Sequence, residues 1–330
     1  MKKRKAGPSY LIARNLPKVI WDKSLTNSAR SEFLKCRKKF EWNYLRRLST
    51  RHPNIPFLVG GLFHDGLEAM YKTGIFKIKE RRLIVEKAVE KACSESSLTA
   101  AQSDKIWKQT ALVMGMLRGY AERYLKEDLK KWKVVALEHS FKFKLPRGWT
   151  AMGKKDMIVE TRGKRKRLIL VEHKTAGRLD ANYIAKLPLD AQIQHYALAE
   201  KKRTGKAPDE VVYNITKKSQ LRQRGNETFK AYCQRIEDEY VNNPSAYFYR
   251  EHLTISEKDL ERYEEELLRF TLEIDRAIKE GYFYRNTNEC TNMGICPYMP
   301  LCIDGPTKEN LMRYRVRANI HEELEELDEG

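Results

Sequence analysis

The chain has 330 residues, 41% hydrophobic and 33% charged, a balance that excludes a disordered polymer and leaves room for a sizeable core. Its 64 Lys and Arg outnumber its 45 Asp and Glu, and the resulting +19 points to a polyanionic partner, with nucleic acid favoured. No apolar run approaches the roughly 18 residues of a membrane span, and the basic opening MKKRKAGPSYLIARNLPK lacks a signal peptide's apolar stretch, so no membrane partner and a cytoplasmic setting (host cytoplasm if viral) are expected.

The first part of the chain reads as helical. Residues 28–48 place Phe33, Cys36, Phe40 and Tyr44 at helical spacing, which predicts one amphipathic helix. Further helices are predicted at about 61–72, carrying His64, and at about 80–93 and 105–131. At residue 133 the pattern changes. "KVVALEHSFKFKL", "WTAMGKKDMIVE" and "RLILVEHK" read as strands, the last two joined by the glycine-centred turn "TRGKRK". A helix at about 189–203, a strand at 210–216, a helix near 228–242, the strand "YFYREHLTI" and a long helix from 257 to 281 follow. Strands flanked by helices predict an α/β (α+β) fold. The organisation expected is one compact domain overall, made of a helical region over 1–132 carrying Cys36 and His64, a core over 133–282, and a cysteine-bearing segment with an acidic tail over 283–330.

The stretch "LILVEHKTAG" drives four apolar residues into Glu172, His173 and Lys174. Side chains alternate along a strand, so Glu172 and Lys174 share a face, where burial is costly unless they are paired or bind something. With Gly163 and Lys164 as the turn centre, residues whose numbers sum to 328 oppose each other, and Asp156 faces Glu172. Two carboxylates so close repel unless a cation lies between them, and Mg²⁺ or Mn²⁺ suits such a pair. Lys174 is then placed to stabilise phosphate charge or to position an attacking water. A solvated cross-strand ion network is the plainer alternative.

"GKKDMIVE" followed by "LILVEHKTAG" resembles the D…(D/E)-x-K core of the PD-(D/E)XK nucleases, specifically the RecB-like branch. The histidine of "GGLFHDGLEAM" and the Q-x-x-x-Y of "AQIQHYALA" stand in that branch's order, and the resemblance runs from about Ser31 to Cys302. It implies a restriction-endonuclease-like core sheet flanked by helices. It implies His64, Asp156 and Glu172 as metal ligands, with the His173 carbonyl also available, and Lys174 as catalytic. Gln192 and Tyr196, which share a helix face, are implied beside DNA and the active site. Glu138 in "ALEHSFKF" matches a frequent acid on the first core strand, without a defined role.

Cys290, Cys296 and Cys302 lie in "ECTNMGICPYMPLC", and Cys36 lies far upstream. In a reducing compartment such thiols read as ligands, and four of them suit either Zn²⁺ or an iron–sulfur cluster. Iron–sulfur nucleases of the RecB-like branch, among them CRISPR-associated exonucleases and AddB-type nucleases, carry one N-terminal and three C-terminal cysteines around a [4Fe–4S] cluster, which the resemblance implies here. The five residues between Cys290 and Cys296 depart from the commonest spacing of two. Cys93 and Cys233 read as core.

The expectation is a metal-dependent DNA nuclease, an exonuclease on single-stranded or end-containing DNA. By resemblance it serves repair, recombination or CRISPR-type processing, with protein partners there. Trp42, Tyr44 and Tyr196 are candidates for stacking on bases. A non-catalytic nucleic-acid-binding protein on the same fold and a structure-selective endonuclease are the alternatives.

Overall fold

The computed structural model describes residues 16–19, 21–51, 55–74, 86, 90, 100–292, 294–321 and 324. Apart from residues 86 and 90, the stretch expected to be helical at about 80–93 lies outside them, as does Cys93. The strands are β1 (Ser24–Leu25), β2 (Leu48–Thr50), β3 (Trp132–Lys144), β4 (Thr150–Thr161), β5 (Leu168–Ala176), β6 (Glu210–Lys217), β7 (Phe248–Leu253) and β8 (Tyr314–Val316). The chain divides into two compact units. One comprises Met1–Arg51, Ser140–Gly153 and Glu264–Gly330, the other His52–His139 and Lys154–Tyr263.

The second unit is built on a mixed sheet in which β4 and β5 are antiparallel, β5 and β6 parallel, and β6 and β7 antiparallel. The β4–β5 ladder pairs Met157 with Val171 and ends at Glu160 with Leu168, each pair summing to 328 as the turn position predicts. Alternate residues serve opposite faces. Met157, Val159, Ile169, Val171 and Val212 join a core formed with the helices Ile55–Thr73, Ala100–Tyr120 and Phe229–Asn242. Ile158, Leu170, Val211 and Tyr213 are buried as well. A sheet covered on both faces accounts for the uninterrupted "LILV" of β5.

Two glycines allow the helices of this core to approach closely. A Cβ on Gly119 would meet Tyr240 Cβ at 2.7 Å and Phe248 at 2.8 Å, and one on Gly115 would meet Ile236 Cγ2 at 2.6 Å.

In the other unit, β1 runs parallel to the start of β4, and β2 pairs antiparallel with β8. The single helix expected over 28–48 is interrupted. It runs from Asn27 to Lys35, breaks at Cys36 (φ −157, ψ 108), resumes at Arg37–Phe40 and ends in a π-helical turn, Glu41–Leu45. The extended Cys36 turns its sulfur toward Asn286, whose backbone N–H donates to it at 3.4 Å. Trp42 and Tyr44 are buried in this unit, so the stacking role expected of them gives way to core packing. Among the described residues no helix is long and apolar enough to cross a membrane.

Candidate active site

The apolar run of β5 carries Glu172 into the protein, where it is 0% exposed. Lys174, on the same face, donates from Nζ to Glu172 Oε1 and, at 2.8 Å, to Gln192 Oε1. Gln192 in turn donates from Nε2 to the Tyr196 hydroxyl at 2.8 Å, the two lying one helical turn apart on Ala191–Thr204. Asp190 caps that helix by accepting from the Gln192 backbone N–H, and its second oxygen accepts from the Tyr213 hydroxyl of β6 at 2.7 Å. The helix is thereby fixed against the sheet with Gln192 over Lys174. Tyr196 is 7% exposed, and its hydroxyl accepts from the Gln192 amide.

One step beyond the β4–β5 ladder, the Asp156 side chain takes the place of a backbone acceptor. Its Oδ2 accepts from the His173 N–H at 2.7 Å. Its Oδ1 lies 3.5 Å from His64 Nδ1, and Glu138 Oε1 lies 3.6 Å from the same nitrogen. Lys154 holds the other Glu138 oxygen at 2.8 Å. Glu138 has a left-handed backbone (φ 45), a costly conformation for a non-glycine residue that here delivers its carboxylate to the histidine. His64, Glu138 and Asp156 each offer a ligand atom, all within 4.8 Å of one another.

The electrostatics follow from packing these charges together. Burial, followed by the nearby Asp156 charge, pushes the Glu172 carboxyl up to about 8. Burial opposes charge on His64, but Asp156 and Glu138 outweigh it and raise the imidazole to about 10. Burial likewise opposes charge on Lys174, and Glu172 and Asp156 hold it protonated well above its ordinary value. Burial drives the His173 ring down to about 3. That ring sits in a polar network in which Asn214 Nδ2 approaches His173 Nδ1 at 3.4 Å and donates to the Tyr120 hydroxyl at 3.1 Å.

A divalent cation fits these residues. Glu172 Oε2 is buried without a hydrogen-bond partner, a costly state for a carboxylate oxygen and one that an ion relieves. Two further carboxylates and an imidazole stand nearby, a donor set suited to a hard cation such as Mg²⁺ or to Mn²⁺. The structure thus gathers His64, Asp156, Glu172, His173, Lys174, Gln192 and Tyr196 in one unit, His173 contributing its backbone N–H to Asp156. Glu138 acquires the partner that sequence reasoning left undefined. Lys154 was missed, and its only signal is its place two residues before Asp156.

Cys36, Cys290, Cys296 and Cys302 all belong to the other unit, each half-buried. Cys302 is close enough to Cys36 for their thiols to interact electrostatically, as Cys296 is to Cys290 and Cys302. Burial pushes the Cys296 and Cys302 thiols up. Trp42, Tyr298 and Tyr314 pack beneath Cys296 and Cys302. Cys233 is half-buried and packs against the core of the second unit, where the sequence places it.

No curated protein matches the chain. A solved structure described as "Crystal structure of SSO0001" aligns with 71% of this chain and 82% of its own, at 12% identity and a TM-score of 0.27. The family model of the PD-(D/E)XK nuclease superfamily matches residues 24–303, a span that takes in Asp156, Glu172 and Lys174. The chain belongs to the PD-(D/E)XK nuclease superfamily.

Proposed function

We propose that the protein is a metal-dependent deoxyribonuclease that hydrolyses phosphodiester bonds at the Asp156–Glu172–Lys174 cluster, acting as an exonuclease on single-stranded or end-containing DNA. The observation that carries this reading is the unpartnered buried Oε2 of Glu172, in a site where Asp156, Glu138 and His64 converge. Asp156, Glu172, Glu138 and His64 would hold Mg²⁺ or Mn²⁺. Such an ion supplies Lewis acidity toward phosphate oxygens and makes water a better nucleophile at neutral pH.

The protein's own groups do the rest. An ammonium has three donors, and Lys174 commits two, to Glu172 and Gln192. Among the described residues its third has no partner, which leaves it for a phosphate oxygen or an incoming water, where charge accumulates in the transition state. Gln192 sets the direction of that ammonium, and Tyr196 sets the Gln192 amide. The His173 N–H fixes Asp156 so that one oxygen remains turned toward His64.

The choice of DNA and of exonuclease action rests on resemblance to the RecB-like branch and on the +19 charge. By the same resemblance we assign a [4Fe–4S] cluster to Cys36, Cys290, Cys296 and Cys302, with support from the electrostatic contact of Cys302 with Cys36 and of Cys296 with Cys290 and Cys302. The nuclease reading is tested with end-labelled single strands, linear and circular, in Mg²⁺ or Mn²⁺ and with a chelator. Metal-dependent loss of the linear strand alone is the expected result. Cutting of circles would replace the exonuclease with an endonuclease, and no cleavage under any metal would remove the reading.

A further inference from the structure

The second unit has a cavity of about 840 Å³ that shares no lining residue with the pocket containing His64 and Asp156. It opens at the far end of the β4–β5 hairpin. Thr161 at its edge lies five residue steps along the strand from Asp156, about 17 Å at ~3.3 Å per residue. Lys130, Lys131, Arg162 and Arg167 line it, with Tyr124 and Trp132 as its aromatic surface.

The acids in this cavity are already committed. Glu127 pairs with Lys130 at 3.0 Å, Asp128 with Arg250 at 2.6 Å, and Glu210 with Arg167 at 2.8 Å. Lys131, together with Lys164 and Arg165 of the adjoining turn, has no carboxylate within ion-pair distance among the described residues, and all three are exposed. The turn is fastened in place. Arg162 donates from its backbone N–H to Lys131 O at 2.9 Å and from Nε to Trp132 O at 3.0 Å, while Arg167 N–H donates to Thr161 Oγ1 at 3.0 Å. Unneutralised cations are therefore held in position beside an open, partly aromatic cleft, rather than scattered on mobile chain.

We infer that this cleft and hairpin form a second polynucleotide-binding site, which takes sugar–phosphate backbone at a distance from the Asp156–Glu172–Lys174 cluster. The inference deepens the nuclease reading and rests on it for the identity of the polyanion. Cations continuing from the cleft onto the hairpin suit a chain of phosphates, whereas a single small anion would engage only part of them.

The test measures equilibrium binding of the full chain to a labelled single strand across a salt series, with divalent ions chelated so that nothing is cut. Two double variants are compared with wild type, Lys131→Glu with Arg162→Glu and Lys164→Glu with Arg165→Glu. Each is expected to bind more weakly and to lower the salt slope by about 1.4, since every phosphate of a single strand that a cation neutralises contributes ~0.7. Unchanged affinity and slope in both variants would overturn the inference. So would loss of binding only to inorganic pyrophosphate or to anionic phospholipid vesicles, with strand binding intact. Wild type that binds the strand but never cuts it in Mg²⁺ or Mn²⁺, with binding still weakened by the variants, would sink the nuclease reading and uphold this one.

Discussion

His173 and Asp156 meet where the β4–β5 ladder gives way to chemistry: the backbone N–H of the first donates to Oδ2 of the second at 2.7 Å. A main-chain donor cannot rotate away, so this carboxylate is pre-oriented at the cost of one ladder hydrogen bond. The same strand presents Glu172 and Lys174 on either side of His173, and both halves of the site inherit the rigidity of one sheet.

In the proposed mechanism the ammonium of Lys174 is the cation directed at developing phosphate charge. Lys174→Ala is expected to lower cleavage of an end-labelled strand by about 10²–10³-fold, the usual scale for removing one such stabilising donor, with strand affinity retained. Undiminished cleavage, with contaminating nuclease excluded, would contradict this assignment.

In the proposed mechanism Gln192 and Tyr196 are positioning residues, and their variants should separate from Lys174→Ala in kind. Gln192→Ala frees the ammonium from one of its two anchors and is expected to lower kcat about tenfold with KM unchanged, roughly one hydrogen bond's worth of orientation. Tyr196→Phe keeps Gln192 in place with one fewer partner and should cost less. A larger effect of Tyr196→Phe on KM than on kcat would instead assign the tyrosine to substrate binding.

The helix-packing glycines give a prediction about stability whose sign depends on position. Gly119→Ala places a methyl against Tyr240 and Phe248 and is expected to destabilise by about 1–3 kcal/mol. Gly61→Ala, in a helix with nothing within 4 Å of the added carbon, is expected to stabilise by up to ~1 kcal/mol. Denaturant unfolding of the two variants measures both, and equal effects would contradict the close helix approach.

Lys155 and Glu200 form an ion pair at 2.6 Å with both side chains almost wholly buried. Glu200→Gln removes the carboxylate that pairs with this buried lysine and is expected to cost about 3–5 kcal/mol, whereas joint replacement of the pair by Met and Leu should cost far less. Burial alone would raise the Glu200 carboxyl, but hydrogen bonds from Arg203 and Lys155 hold it below its ordinary value. A depressed folded-state pKa contributes stability above the unfolded value of about 4.3, lost as pH falls through the folded value. Acid unfolding of wild type should therefore steepen in that window, and Glu200→Gln should remove this component.

How far the sequence could be read depended on whether local pattern decided the outcome. The turn at Gly163 and Lys164, flanked by apolar strands, determined the register that pairs Met157 with Val171, because in a hairpin the turn fixes which residues oppose each other. The break at Cys36 was not legible, since Phe33 and Phe40 keep helical spacing on either side of it and both remain buried. Glu138 lay on a strand that could be recognised, but its role depends on a left-handed residue within that strand, which no periodicity reports. Trp42 and Tyr44 sit among basic residues in sequence, and only the tertiary packing decides that their rings face inward.

The four thiols carry the last prediction. Cys36 lies near the start of the chain and Cys290, Cys296 and Cys302 near its end, all four in one unit, so one group bound by them would close a very long loop. Loop closure of that size stabilises a fold, and ligand binding that requires the folded state adds to it. Protein purified without oxygen is expected to be brown and to contain iron and sulfide in equal amounts, about four of each per chain. Replacing any one of the four cysteines by alanine should lower iron content and thermal stability together, while Cys233→Ala, outside the group, should leave iron unchanged. Colourless anaerobic protein with one equivalent of zinc would keep the ligand set and exchange the cluster for a tetrahedral Cys₄ ion. Metal-free protein of undiminished stability would show these thiols to be unligated.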